Sequence, residues 1–261
     1  VGTATIVESS VDDNIAGGNG GGIYSKFAEV AVIDSLISGN SALGHGGGAA
    51  LISDRGSVAV ADSTISGNMA AIDGGGVFMR LRFDANAGIT GSTVSDNAAD
   101  GDGGGIWIQS QGGATFELAH STITGNVADA NALDVGIGGG VFSISSSADA
   151  PLVAHTIVAD NRDGDGTMDD IVGEFFATSH HNLIGVDTGF TGISDGVNGN
   201  IIGTAAVPVD PMLGPLQDNG GPTLTHAPLP GSPVIDAGDP AFVPPPFTDQ
   251  RGYYRVVDGD A

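Results

Sequence analysis

A short phrase recurs along this chain, and its spacing restricts the possible folds more than any other feature of the sequence. "STISGN" at 63–68 returns as "SLISGN", "STVSDN" and "STITGN", and a "GGG" follows each of these four copies. Aligned on the final asparagine, six copies lie 26 to 35 residues apart. A period of this length is typical of a solenoid, in which each copy forms one unit that packs on the next. The aligned asparagines are Asn14, Asn40, Asn68, Asn97, Asn126 and Asn161.

Each copy contains segments in which residue types alternate with the period of a strand. The third residue before the asparagine is Val or Ile in every copy, and the fifth is Ser or Thr. Positions two apart share a face in a strand and not in a helix. After the glycines, an aliphatic column alternates with a largely aromatic one, which indicates another strand. The column before the asparagine consists of Val11, Ile37, Ile65, Val94, Ile123 and Val158.

These patterns predict an all-β fold, a single-stranded right-handed parallel β-helix with turns rich in Gly, Asn and Asp. Each strand is expected to pair with its copy about 4.8 Å away in the next coil. The asparagines are predicted to take the left-handed bend at a corner and to form a ladder of amides along the axis. We expect regular coils over 1–178, and less regular coils and a tail over 179–261 within the same domain.

Composition argues against several kinds of partner. The chain has 31 acidic and 7 basic residues, a formal net charge of −24. Because this charge repels phosphate backbones and anionic lipid, we expect no nucleic-acid binding. No apolar run approaches the roughly 20 residues that span a bilayer, so no membrane insertion is expected within this chain. The first residues lack the pattern of a signal peptide, and we expect the chain to begin inside a longer precursor.

Three C-terminal stretches carry a family resemblance. They are "HNLIG" from 181, "DPMLGPLQDNGGPTLTHAPLPGSPVIDAG" from 210 and "TDQRG" from 248. They resemble the C-terminal part of the choice-of-anchor-Q family of bacterial surface β-helix proteins. The repeats are similar to secreted bacterial right-handed β-helix proteins and, more distantly, to chlamydial polymorphic outer-membrane proteins. The resemblance implies a secreted or cell-surface location in a bacterium, and it supplies no catalytic residues.

The aromatic column is the first candidate for a binding surface. In strand alternation its side chains point away from the aliphatic core, so we predict an exposed stripe that is interrupted only by Ala50. Aromatic faces stack on sugar rings, which makes the stripe a candidate platform for a polysaccharide or cell-surface glycan. The alternative is that a loop, another domain or a second copy of the chain covers it. The stripe consists of Tyr24, Phe78, Trp107 and Phe142.

The acidic segment "NRDGDGTMDD" at 161–170 is a candidate calcium site. Its oxygen-bearing residues and Gly166 match the start of an EF-hand loop, but the twelfth position is Val172 where that loop has glutamate. The alternative is a solvated acidic turn. The candidate calcium ligands are Asn161, Asp163, Asp165, Asp169 and Asp170.

The sequence favours a non-catalytic extracellular protein, an adhesin or matrix component that binds glycan or associates with itself. The main alternative is a polysaccharide lyase or glycoside hydrolase, since "GHG" at 44–46 resembles part of a polygalacturonase site. His45 occupies a variable turn position, however, and the chain has one Lys and six Arg to neutralise a uronate substrate. A minor alternative is ice binding by a regular array that includes Thr64, Thr93 and Thr122.

Overall fold

The chain winds into successive coils with the period of its repeat. The computed structural model describes residues 2–133 and 136–255. Within these residues it contains 25 strands of two to six residues and no α-helix. No helix in this part of the chain is therefore long and apolar enough to cross a membrane.

The strands follow one another in a fixed order along each coil. In the first coils they are β1 Thr3–Val7, β2 Ser10–Asp12, β3 Ile15–Ala16, β4 Ile23–Lys26, β5 Glu29–Ile33, β6 Leu36–Ser38, β7 Ser41–Ala42, β8 Ala49–Ser53, β9 Ser57–Ala61, β10 Thr64–Ser66, β11 Met69–Ala70 and β12 Val77–Arg82. They continue as β13 Asn86–Thr90, β14 Thr93–Ser95, β15 Ala98–Ala99, β16 Ile106–Gln111, β17 Thr115–Ala119, β18 Thr122–Thr124, β19 Val141–Ser143, β20 Leu152–Ala154, β21 Ile157–Ala159, β22 Ile171–Glu174, β23 Leu183–Ile184, β24 Phe190–Thr191 and β25 Ile201–Ile202.

Four parallel sheets run along the axis, and each early coil contributes one strand to each of them. Sheet I contains β1, β5, β9, β13, β17 and β20, and sheet II contains β2, β6, β10, β14, β18, β21, β23 and β25. Sheet III contains β3, β7, β11 and β15, and sheet IV contains β4, β8, β12, β16, β19, β22 and β24. Paired residues are one repeat apart: Ile65 pairs with Ile37 on one side and Val94 on the other. The predicted parallel β-helix is confirmed.

The interior is an aliphatic column, as the alternation predicts. Ile37, Ile65 and Val94 are fully buried, and they pack with inward residues of sheets I and IV in one continuous core. The serine column lies at the edge of this core. Ser35 Oγ donates to the Ile33 carbonyl at 2.7 Å and accepts from the backbone amide of Ser9, one coil earlier, at 3.1 Å. These bonds satisfy buried polar groups where sheet I turns into sheet II.

The asparagines form the predicted ladder. Asn126 donates from its backbone and its side-chain nitrogen to Asn161 Oδ1, at 3.1 and 2.8 Å. At the end of the ladder the acceptor is a carboxylate from the same coil, because Asp170 Oδ1 accepts from the backbone amide and the side-chain amide of Asn161, at 2.9 and 3.0 Å. Asp170 therefore continues the asparagine ladder as a fully buried acid.

The left-handed bend at this corner falls on the residue before each asparagine, so its prediction at the asparagine itself was wrong. The buried amide is held inward by the ladder, and the preceding Gly or Asp takes the positive φ instead. The left-handed residues are Asp13, Gly39, Gly67, Asp96, Gly125 and Asp160.

The glycine triplets allow the turn between sheets III and IV to stack tightly. Gly46 has a φ of +70°. A Cβ on Gly47 would collide with the backbone of Gly75 in the next coil and with that of Met69. Only glycine fits this middle position, which accounts for the repetition of "GGG" in successive coils.

After β25 the chain runs back along the outer face of sheet II as a tail. The Leu224 carbonyl accepts from Thr64 Oγ1 at 2.6 Å, and Gln250 Oε1 accepts from Thr93 Oγ1 at 2.8 Å. Gln250 Nε2 also lies 3.2 Å from the Ser63 carbonyl. Thr64 and Thr93 are only 0% and 2% exposed. An ice-binding role for this array is therefore contradicted, because the tail covers the face that ice would have to contact.

Candidate functional site

The corner between sheets I and II changes its chemistry along the axis. In each coil the residue before the Ser or Thr of the column, or before Asn182 in the last of these coils, takes a positive φ between 45° and 57°. The residue is acidic in the first coils, glycine in the fourth and histidine in the last three. The column consists of Glu8, Asp34, Asp62, Gly91, His120, His155 and His181.

The histidines form one edge of a cleft of about 600 Å³ between sheet II and the tail. The floor contains Ile157 and Leu183, which are residues of β21 and β23. On the tail side lie two carboxylates, one aromatic ring and one guanidinium, which belong to Asp236, Asp239, Phe242 and Arg255. We call this space the histidine cleft.

Coil spacing sets the arrangement of the rings. His120 and His155 are stacked with centroids 4.7 Å apart, and His155 and His181 are stacked at 5.3 Å. Phe242 presents its edge to both His120 and His155 at 5.6 Å. His180 lies edge-on to His155 at 4.9 Å. The result is a row of flat rings along one side of the cleft.

The first two rings of the row, His120 and His155, are uncharged at neutral pH. Burial is the main cause that lowers the pKa of His120 to about 4, and the positive charge of Arg255 adds to the effect. The pKa of His155 is also lowered, first by burial and then by His180. Neutral imidazoles have a free nitrogen lone pair, so these residues can accept a proton, accept a hydrogen bond or bind a metal ion.

Comparison of the sequence with protein-family models agrees with this architecture. The model described as right handed beta helix region matches residues 2–164, well over half of the chain. The chain belongs to this family. Comparison with curated proteins and with solved structures gave no match. The family assignment establishes a right-handed β-helix. The histidine cleft spans the end of the matched region, since His120 and His155 lie inside it and His181 lies beyond it.

The β-helix stacks the predicted aromatic stripe but does not expose it. Phe78 and Trp107 are stacked with centroids 4.4 Å apart, and Trp107 lies 6.4 Å from Phe142. The rings lie outside the main core, yet they are only 3%, 8% and 9% exposed because they cover one another and pack with Ile52. The prediction that they form an exposed platform was wrong. Tyr24 is 51% exposed, and Ala50 separates it from the other three rings.

The five candidate calcium ligands do not converge on one point. Asn161 and Asp170 are engaged in the ladder, and Asp169 accepts from the backbone amide of Gly138 at 2.6 Å. Asp163 and Asp165 both bind the amide of Thr167 in an exposed turn, at 2.9 and 2.8 Å. Within the described residues, no three of these four carboxylates have oxygens within 4.8 Å of one another. Calcium binding by this segment stays a prediction.

The "GHG" histidine contributes to packing and to an ion contact. His45 lies 4.5 Å from the ring of Phe78, and its Nδ1 lies 3.1 Å from Asp73 Oδ2 in the next coil. The ring contact with Phe78 places His45 at one end of the buried aromatic stack.

Sequence reasoning missed the histidine cleft. The available signal was the residue before the serine column, where acids give way to His120, His155 and His181 at the repeat spacing. The tail side of the cleft could not be predicted from the repeat. The tail contains no repeat that would align Asp239 or Phe242 with a particular coil.

Proposed function

We propose that this protein is a non-catalytic carbohydrate-binding β-helix of the bacterial cell surface, and that the histidine cleft holds part of a polysaccharide or cell-surface glycan. The observation that carries the proposal is the combination of flat rings and hydrogen-bonding groups around one open space. Sugars present apolar ring faces and a rim of hydroxyls, so they require both kinds of contact.

The shape and chemistry of the cleft support a sugar ligand. A volume of about 600 Å³ lies within the range of small-ligand sites. Phe242 and the imidazoles offer ring surfaces, while Asp236, Asp239 and Arg255 offer acceptors and donors for hydroxyls. The net charge of −24 favours a neutral or cationic glycan over a strongly anionic one.

The proposed location rests on the resemblance of the tail to the choice-of-anchor-Q family. The motifs "GGPTLTH" and "TDQRG" share a role in the structure, since Thr223, Leu224 and Gln250 each form a hydrogen bond that attaches the tail to the coils at sheet II. These two motifs hold the tail against sheet II, and a neighbouring part of the tail, which includes Asp239 and Phe242, lines the cleft.

A glycan array followed by titration calorimetry tests the proposal. Calorimetry is carried out with a chelator present, so that sugar binding is measured without metal. Phe242→Ala and Asp236→Asn should each weaken binding of the best glycan about tenfold, or ~1.4 kcal/mol. Tyr24→Ala, an exposed ring on sheet IV, is the matched control and should bind normally. Loss of binding in Tyr24→Ala alone would move the sugar site to the predicted stripe.

A second candidate function is a uronate lyase, favoured by a neutral imidazole near a guanidinium. In such a reaction Arg255 would neutralise the substrate carboxylate, and His120 would take the proton from the adjacent carbon. The electrons of that carbon–hydrogen bond would form a carbon–carbon double bond as the bond to the leaving sugar oxygen breaks, and that oxygen would take a proton from water. Incubation with uronate polymers tests this, because the unsaturated product absorbs in the ultraviolet. Product that forms with the native protein and not with His120→Gln would establish the lyase.

A further inference from the structure

We propose that His155, His180 and His181 form a binding site for one divalent transition-metal ion, with Zn²⁺ as the probe. One nitrogen from each ring lies within 4.8 Å of the nitrogens of the other two. Imidazole nitrogen is a preferred ligand of Zn²⁺, Ni²⁺ and Cu²⁺, and three histidines are sufficient protein ligands for zinc. The proposal does not depend on sugar binding.

The backbone holds the three rings close together. His155 donates its amide to the His180 carbonyl at 3.0 Å, and His181 donates its amide to the Asn198 carbonyl at 2.9 Å. Neighbouring residues in a strand point to opposite faces, but His181 has a φ of +51°. This bend allows the side chains of His180 and His181 to face the same ion.

The protonation of the rings suits a metal. His180 Nδ1 lies 3.0 Å from the Thr178 carbonyl, which can only accept, so this nitrogen carries the hydrogen. Its Nε2 is left with a lone pair, an arrangement common to histidines that bind metals. His181 Nδ1 is buried and has no hydrogen-bond partner. An unsatisfied buried nitrogen is costly, and a bound ion would satisfy it if this nitrogen is the ligand.

Charge around the cluster favours a cation. Asp239 Oδ1 lies 3.9 Å from His181 Nε2 and places a carboxylate beside the rings. Four of the six histidines of the chain lie in or beside the cleft, so a scarce residue type is concentrated here.

Zinc fixes the spacing of its ligand nitrogens. Nitrogens bound to tetrahedral zinc are roughly 3.3 Å apart. The three partly buried rings would have to rotate on binding to bring their nitrogens, which now lie within 4.8 Å of one another, to that distance.

The test is titration of Zn²⁺ into protein that carries no polyhistidine tag, in millimolar Ca²⁺ so that exposed carboxylates are already occupied. We expect one ion per chain. His180→Gln should weaken Zn²⁺ binding by at least about tenfold. His45→Gln removes a histidine outside the cluster and is the matched control. His120→Gln removes the stacked ring that is not in the cluster, and its affinity for Zn²⁺ should stay within about twofold of the native value.

Co²⁺ provides a readout that depends on coordination and not on folding. The native protein should give the visible absorption of cobalt bound in a low-symmetry site, and His180→Gln should not. Circular dichroism of His180→Gln then confirms that its fold is intact. Absence of stoichiometric Zn²⁺ binding would overturn the proposal, as would equal binding by native protein and His180→Gln. Loss of Zn²⁺ binding in Asp163→Asn, with His180→Gln unaffected, would overturn it by placing the ion at the acidic turn.

Discussion

Replacing Asp170 with asparagine should stabilise the protein, and the gain should grow as pH rises. Asp170 Oδ1 already performs the role of an asparagine oxygen, since it accepts two hydrogen bonds from Asn161. Its Oδ2 is buried and forms no close hydrogen bond, and the backbone amide of Val186 offsets only a small part of the effect of burial. An amide keeps the accepting oxygen and removes the charge that this position cannot solvate.

The size of the effect follows from the pKa of Asp170. Burial raises this pKa from 3.8 to about 7. Since each pH unit of displacement corresponds to about 1.4 kcal/mol, full ionisation costs the folded state roughly 4 kcal/mol. The folded protein holds this proton more tightly than the unfolded chain between pH 3.8 and about 7. Stability is therefore lost as pH rises through that window, and the loss levels off above it.

Guanidinium unfolding of the native protein and Asp170→Asn, at about pH 5 and about pH 8.5, measures this difference. At the lower pH the variant should already be more stable by ~1.6 kcal/mol, because pH 5 lies ~1.2 units above the unfolded pKa of 3.8 while the folded carboxyl is still mostly protonated. At the higher pH the variant should be more stable by an additional ~2–3 kcal/mol. Asp187→Asn, at an exposed aspartate, is the control and should show no such growth. A stability difference that is the same at both pH values would refute the reasoning.

Four further outcomes are expected. Trp107→Ala should cost about 3 kcal/mol in calorimetric unfolding, as for a buried ring, and a near-native melting temperature would contradict the packing described for it. Val94→Asp places an unpaired charge in the core and should abolish soluble expression, which a folded variant would disprove. Gln250→Leu should lower the free energy of unfolding by about 2 kcal/mol and make the tail sensitive to proteases, and unchanged proteolysis would show that Gln250 is not the fastener. If Asp163 binds calcium, a chelator should lower the melting temperature of the native protein and not that of Asp163→Asn; equal responses would exclude the site.

The coils could be predicted from the sequence because their contacts repeat. A column such as Ile37, Ile65 and Val94 occupies the same place in every turn, so alternation and spacing were enough to give its face and its strand partners. The asparagine ladder followed for the same reason. The left-handed residue of each corner was predicted one position too late, at the asparagine and not at the residue before it. The pattern does not show which of these two neighbours has the buried side chain.

Exposure and the cleft were not predictable in this way. Alternation correctly placed Trp107 outside the main core. It does not show whether adjacent rings, such as Phe78 and Phe142, cover the side chain and exclude solvent. The cleft depends on where the tail docks, and the contacts of Gln250 with Ser63 and Thr93 join residues 187 and 157 positions apart. No periodic signal connects such distant segments, so Asp239 and Phe242 could not be assigned to a coil.

The return of the tail along sheet II also sets an order of events in folding. Contacts between coils join residues only 16 to 38 positions apart, as in Gly173 with Gly189 and Asn161 with Ile123, so coils can form by stepwise addition to their neighbours. The tail contacts on the middle coils close longer loops, from 131 residues between Ser95 and His226 to 187 between Ser63 and Gln250, which slows their formation. The tail wall of the cleft therefore forms after the coils that it covers, and a ligand of the cleft would bind only chains in which the tail has already docked.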